Sequence, residues 1–268
     1  GGNEMKIGAF IVSTAAVADD GSTTNPRDYS ELMQNTKTDS ENVALLGGGV
    51  DSYTKLMVHF DGTDADTGDQ TATTGQTVSL EGNACLDTAQ KKFGTASLLC
   101  DGTGDYATVP DSADWYFGAD PFTIDCWIKV TDTTLNHGIT GQYNDASNYW
   151  FLQYYYSTPS VHGFQFQSVT GGVAKADYAW VATITTGWTH IELARNGANV
   201  YFFINGELQT ALVNTAISTN EVLDSSGVLE IGASYNHGHV MAGWIDEFRI
   251  SKGISRHTAN EANFFVLF

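Results

Sequence analysis

The chain is poor in cysteine, proline and basic residues, and each shortage narrows what it can be. Its three cysteines, Cys85, Cys100 and Cys126, are an odd count with no disulfide framework and no Cys/His spacing of a zinc site. Cys85 and Cys100 fall in neighbouring expected strands and can pair, whereas Cys126 sits among apolar residues and reads as a buried thiol. Only 4 prolines accompany 28 glycines, a balance that favours many short strands joined by tight turns. Lysine and arginine total 12 against 31 acids, a formal net charge of −19. Nucleic acid and anionic membrane are thereby disfavoured as partners, since both need basic patches. No apolar run is long enough to cross a bilayer, so no membrane insertion is expected. There is no Gly-x-Ser-x-Gly elbow, no phosphate-cradling glycine loop and no paired-acid Glu-x-Asp-x-x-Glu pattern, so no enzyme class is indicated.

What is present is alternation. Phe122, Ile124, Cys126, Ile128 and Val130 alternate with Thr123, Asp125, Trp127 and Lys129, the pattern of a strand with one face on a core. Asn205-Gly206 is a strong signal for a type I′ hairpin. The turn pairs Asp101-Gly102 and Gly104-Asp105 suggest a second hairpin around residue 103. Near the end, strict alternation through Gly243–Ser251 places Trp244, Asp246, Phe248 and Ile250 on one face and Ile245, Glu247, Arg249 and Ser251 on the other. Asp246 then lies among core residues, where an ionised carboxylate is costly unless cations or donors meet it. On this reading Asp246 and Glu247 face opposite ways and cannot act as a catalytic pair. With 42% hydrophobic residues in 268, the chain has ample material for an all-β sandwich core.

Four stretches together resemble a known family. Lys55-Leu-Met-Val-His-Phe-Asp-Gly62, Lys92-Phe-Gly-Thr-Ala-Ser-Leu-Leu-Cys-Asp-Gly-Thr-Gly-Asp-Tyr106, Phe122-Thr-Ile-Asp-Cys-Trp-Ile-Lys129 and Gly243-Trp-Ile-Asp-Glu-Phe-Arg-Ile-Ser251 are similar, in that order, to laminin G-like domains of the concanavalin A-like jelly-roll superfamily. The resemblance implies an antiparallel two-sheet jelly roll over residues 53–258. It also implies an extracellular or virion-surface module, since similar domains occur in secreted bacterial proteins and in phage structural and adhesion proteins. Folds of this kind host many activities, so function must be argued from the site.

Residues 1–52 stand apart as an extension. Lys6–Val12 reads as a single apolar strand, 26–46 has a weakly helical composition, and Gly47-Gly-Gly49 forms a linker. Residues 259–268 end in an apolar tail. A lone strand can add to the sheet edge of another copy, which makes Ile7, Phe10, Ile11, Val12, Phe264 and Phe265 candidates for assembly into a fibre, filament or virion.

Two sets of residues are candidates for a site. Asp61, Asp101 and Asp246 supply carboxylate oxygens of the kind that hold a structural Ca²⁺, with Asp61 at the head of an acidic loop running to Asp69. Trp150, Tyr154, Tyr156 and Trp180, with Asn148 and Gln153, combine rings that stack on sugar C–H faces and amides that meet hydroxyls. The expected ligand is a glycan or cell-surface polysaccharide. His137, His162, His237 and His239 read as ordinary surface residues, and a polysaccharide hydrolase or lyase is the least supported alternative.

Overall fold

The computed structural model of the protein describes residues 50–260 in full, together with the backbone of two strands, Glu4–Ile7 and Phe10–Ser13. The chain divides into two compact units at Gly48 and Gly49. In the first unit the two strands pair antiparallel, Glu4 opposite Ser13 and Ile7 opposite Phe10. The run Lys6–Val12 is therefore split between two strands that satisfy each other, and not the lone strand its composition suggested. Phe264, Phe265 and the helix-like stretch 26–46 lie outside the described residues.

The second unit is the expected all-β sandwich, with no helix among its described residues. A nine-stranded antiparallel sheet packs on an eight-stranded one, and the core is drawn from the inward faces of both. The strand Phe122–Val130 behaves as its pattern dictates: its five alternate apolar residues all enter the core. Opposite them the long strands Asn148–Thr158, Val161–Thr170 and Val173–Val181 send in Trp150, Leu152, Tyr154, Phe164, Phe166, Tyr178 and Trp180. Full burial of side chains this large contributes about 2–3 kcal/mol each, so this hydrophobic layer outweighs every other local preference. Asn205 and Gly206 both adopt positive φ, 50° and 82°, and connect Asn199–Ile204 to Glu207–Leu208 in the hairpin foreseen. All three cysteines are free thiols, Cys100 and Cys126 buried.

Two expectations from local pattern fail. Residues 102–105 do not close a hairpin, because Ser97–Asp101 belongs to the eight-stranded sheet and Tyr106–Val109 to the nine-stranded one. The chain arches between layers there, held by the buried Asp105 carboxylate, which accepts the amides of Asp101 (3.1 Å) and Asn83 (2.6 Å). The closing strand, Ala242–Lys252, contains a bulge: its register against Phe122–Val130 slips between Asp246 and Arg249, and Glu247 takes φ +55°. One extra residue reverses the parity beyond it. Ile245, Phe248 and Ile250 therefore enter the core together, while Asp246 and Arg249 stand on the opposite face, beside Trp127 and Asp125.

Candidate functional site

The three candidate calcium ligands are not gathered. Asp246 is fully buried, and its Oδ2 accepts the backbone amides of Lys92 (2.6 Å) and Phe93 (3.0 Å). Asp61 approaches the same turn from its other end, accepting the amides of Thr95 and Ala96 and the Thr95 hydroxyl. Between them Gly94 has φ +56°, and a Cβ there would strike the Asp61 carboxylate. Asp101 is elsewhere, accepting the Thr103 amide (2.7 Å) within its own arch. Among the described residues no group of three or more His, Cys, Asp or Glu is disposed to hold a metal ion. The pin on the closing strand is a pair of amides.

The bulge also brings Asp246 and Glu247 together as buried neighbours, against the expectation that they part. Glu247 Oε2 lies 2.7 Å from His59 Nδ1, and that carboxylate raises the imidazole above its usual value. Burial pushes Asp246 up to about 7 against the pull of its two amides, with the Glu247 charge adding to the rise. Burial likewise raises Glu247. Both acids are committed to the chain's own groups.

Of the candidate ligand-binding rings, Trp150 and Trp180 are 0% exposed and Tyr154 1%, so all three are core residues and cannot meet a ligand. Tyr156 is half-buried and packs against the same core. Asn148 serves a turn, donating to Asp145 (3.0 Å) and accepting the Gly171 amide (3.0 Å). Gln153 alone of the set lies on the outward face.

That outward face of the nine-stranded sheet has the character sought. Because Trp150 and Leu152 go inward, Tyr149, Phe151 and Gln153 go outward, opposite Val169, Gln167 and Gln165 on the next strand. Tyr149 and Phe151 stack with ring centroids 5.8 Å apart, and Tyr143 stacks on Tyr149 at 6.1 Å. Beside them runs a chain of amides: Gln153 donates to Gln165 (3.1 Å), Gln165 donates to Asp177 (3.0 Å), and the Tyr149 hydroxyl donates to Gln167 (2.8 Å).

A short hairpin, Ala233–Ser234 paired with His239–Val240, lies across this face. Gly138 makes that crossing possible, since a Cβ there would collide with the His239 carbonyl and the Ala233–Ser234 backbone. The connection carries Tyr235, Asn236 and His237 in succession at φ 53°, 55° and 58°, a left-handed run that L-residues rarely adopt. It sets the 38%-exposed Tyr235 ring edge-on to Tyr149 (4.8 Å) and Tyr143 (5.4 Å). It stacks His237 on Tyr106 (4.2 Å) and brings His239 Nδ1 within 2.6 Å of Gln153 Oε1. Below His237 is Glu230, buried, with Oε1 3.0 Å from His237 Nδ1; burial lifts this carboxyl to about 7. Tyr235, Glu230, His237 and His239 were missed as site residues, because nothing local marks a turn that folds back over a sheet.

A family model described as the concanavalin A-like lectin/glucanases superfamily matches residues 101–256. No curated protein matches the chain. Among solved structures it is similar to domain 4 of AbnA, a GH43 extracellular arabinanase from Geobacillus stearothermophilus, in complex with arabinotriose: TM-score 0.54, 16% identity, 75% of this chain and 92% of that one. It is also similar to the binding domain of botulinum neurotoxin DC in complex with rat synaptotagmin II (0.54, 14%, 78% and 50%) and to the binding domain of Paraclostridial Mosquitocidal Protein 1 (0.53, 12%, 76% and 50%). The chain spans half the length of these two toxin domains. At such identities the likeness is one of fold.

Proposed function

Because the chain belongs to the concanavalin A-like lectin/glucanases superfamily, we propose that it is a non-catalytic carbohydrate-binding module, working outside the cell or on a virion surface. The ligand rests on the outward face of the nine-stranded sheet. The observation that carries this reading is the juxtaposition, on one face, of the solvent-reaching Tyr143 and Tyr235 rings, backed by the buried Tyr149 and Phe151, with the partly exposed Gln165, Gln167 and Asp177. Rings take the C–H faces of a sugar and amides its hydroxyls, and both are already held in place, so little ordering cost remains on binding. The arabinotriose bound by a domain of similar fold supports the ligand class. Non-catalytic action is supported by the commitments of Asp246 to backbone amides and of Glu247 to His59.

The test is a panel of immobilised polysaccharides probed with the wild type, Tyr235→Ala and Gln167→Ala. Retention of the wild type and loss in both variants is expected. Equal retention of all three overturns the assignment of the face, and release of reducing ends from a bound polysaccharide overturns the non-catalytic reading. A structural calcium ion at Asp61 and Asp246 is tested separately by melting in calcium and in chelator: a rise of several degrees in calcium supports the ion, and equal melting temperatures overturn it.

A second reading has its own observation. Leu212–Thr215 forms one end of the nine-stranded sheet, where Leu212 and Val213 are exposed, as are Val173 and Val181 at the two ends of the neighbouring strand. An apolar sheet edge of this kind supports association with a copy of the chain. Light scattering on the wild type and on Leu212→Lys/Val213→Lys tests it: an assembly lost in the double variant is expected, and a wild-type monomer overturns it.

A further inference from the structure

Glu230 occupies the middle of the strand Leu229–Ile231, between Thr108 and Gly141 on the adjacent strands, and is only 4% exposed. Its Oε1 is met by the His237 ring, the His237 backbone amide also donates to the carboxyl, and among the described residues its Oε2 has no hydrogen-bond partner. A buried carboxyl with an empty oxygen is costly, and its neighbours have nothing spare to give it. The Thr108 hydroxyl donates to Glu81 Oε1 (3.2 Å), and Gly141 has no side chain. Asp246 Oδ1 and Glu192 Oε1 are also unpartnered and buried. Each of those belongs to a group already bonded beneath the eight-stranded sheet's covering segments, to the Lys92 and Phe93 amides or to His257. Glu230 differs in its roof, a partly exposed imidazole on the left-handed turn Tyr235–His237. It differs also in its surroundings, the same outward face that carries the rings and amides.

We propose that Glu230 is a ligand-selecting residue of this face: its Oε2 accepts a hydroxyl proton from a neutral sugar seated beside the Tyr106–His237 stack, and the face thereby rejects acidic sugars. The inference rests on the carbohydrate-binding reading above and names the sugar class. Entry moves the His237 imidazole aside, a displacement confined to a turn whose residues Tyr235, Asn236 and Gly238 are exposed. Rejection of acids follows from charge. Glu81 and Glu230 both bear on Tyr106, Asp177 ends the amide chain, and no lysine or arginine is among the outward residues named on this face. A carboxylated sugar would be driven into like charge with no cation to receive it.

The experiment is titration calorimetry at pH 8 on the full 268-residue chain, with arabinotriose, cellotetraose and xylotetraose as neutral probes and trigalacturonic acid and sialyllactose as acidic ones. Wild type is compared with Glu230→Met, Glu230→Gln and Gln167→Ala. Glu230→Met keeps the length and apolar stem without an acceptor, and the His237 imidazole it leaves is 38% exposed and can turn to water. At least one neutral probe is expected to bind, with the acidic probes at least tenfold weaker. Glu230→Met should lose at least tenfold in affinity at an unchanged melting temperature, and Glu230→Gln, which keeps an acceptor oxygen, should recover most of it. If Glu230→Met binds like the wild type while Gln167→Ala does not, the face stands and the role of Glu230 is overturned. Tightest binding of an acidic probe overturns the selectivity. Failure of every probe to bind the wild type removes the carbohydrate reading and this inference with it.

Discussion

The outward faces of the two sheets solve opposite problems. On the eight-stranded sheet the polar residues are charged, buried and paired within the chain: Arg249 with Asp125 in a two-pronged contact of 3.0 Å each, Arg256 with Asp51, His257 with Glu192. On the nine-stranded sheet they are amides and hydroxyls beside aromatic rings, with Asp177 at the surface and Glu230 beneath a partly exposed imidazole. Buried ion pairs hold a single arrangement, because losing either partner strands the other in a dry place. Amides and rings have moderate solvation costs and both donors and acceptors, so they can exchange water for a ligand. One face is closed by its own charges, and on the other Tyr143, Tyr235, Gln165, Gln167 and Asp177 keep part of their surface in solvent.

The largest loss is expected on the charged face. Asp125→Ala leaves the Arg249 guanidinium buried without its carboxylate and is expected to cost about 3–5 kcal/mol in chemical denaturation, whereas converting Asp125 and Arg249 together to apolar residues should recover most of it. Sugar binding, measured where the variant remains folded, should not change; a binding loss equal to that of Tyr235→Ala would abolish the distinction between faces. Next in size, Asp246→Ala strips the acceptor from the amides of Lys92 and Phe93 and should cost about 2–3 kcal/mol. Asp246→Asn keeps an acceptor and should cost less than half as much.

On the open side, Tyr235→Ala is expected to weaken binding at least tenfold, about 1.4 kcal/mol, while changing stability by less than about 1 kcal/mol. An effect of the reverse order, large on stability and nil on binding, would make the ring structural. The dependence on pH involves both faces. Asp246 and Glu230 are raised to about 7 in the folded chain, far above their ordinary 3.8 and 4.5. The folded state therefore holds protons that the unfolded state has released, and the stability these groups contribute is present at pH 4 and lost as pH rises through 7. Subtracting the pH profile of Asp246→Asn from that of the wild type should show this fall, and a flat difference would place Asp246 in a wetter site than its burial implies.

The strand Phe122–Val130, the Asn205-Gly206 turn and the resemblance carried by four stretches were enough to anticipate the sandwich. Local alternation was sufficient there because one face of each strand is apolar and the other is not. It failed at two kinds of place. Through Tyr149–Tyr156 every position is large, so parity is undetermined by sequence, and it is Tyr149 and Phe151 that face outward while Trp150 and Tyr154 fill the core. In the closing strand a bulge at Glu247 reverses the parity without any glycine to announce it, and Asp246 leaves the core face to clasp the Lys92–Phe93 turn. The outward acid Glu230, in the short run Leu229–Ile231, had no distinguishing neighbour in sequence at all.

Composition and period pointed to an acidic all-β chain, and the resemblance carried by four stretches made it an antiparallel sandwich. The tertiary structure alone decided which rings face outward and which acids are clasped. Those depend on register across strands, and register is set by packing summed over both sheets, where one inserted residue costs little locally and turns every later side chain to the other face.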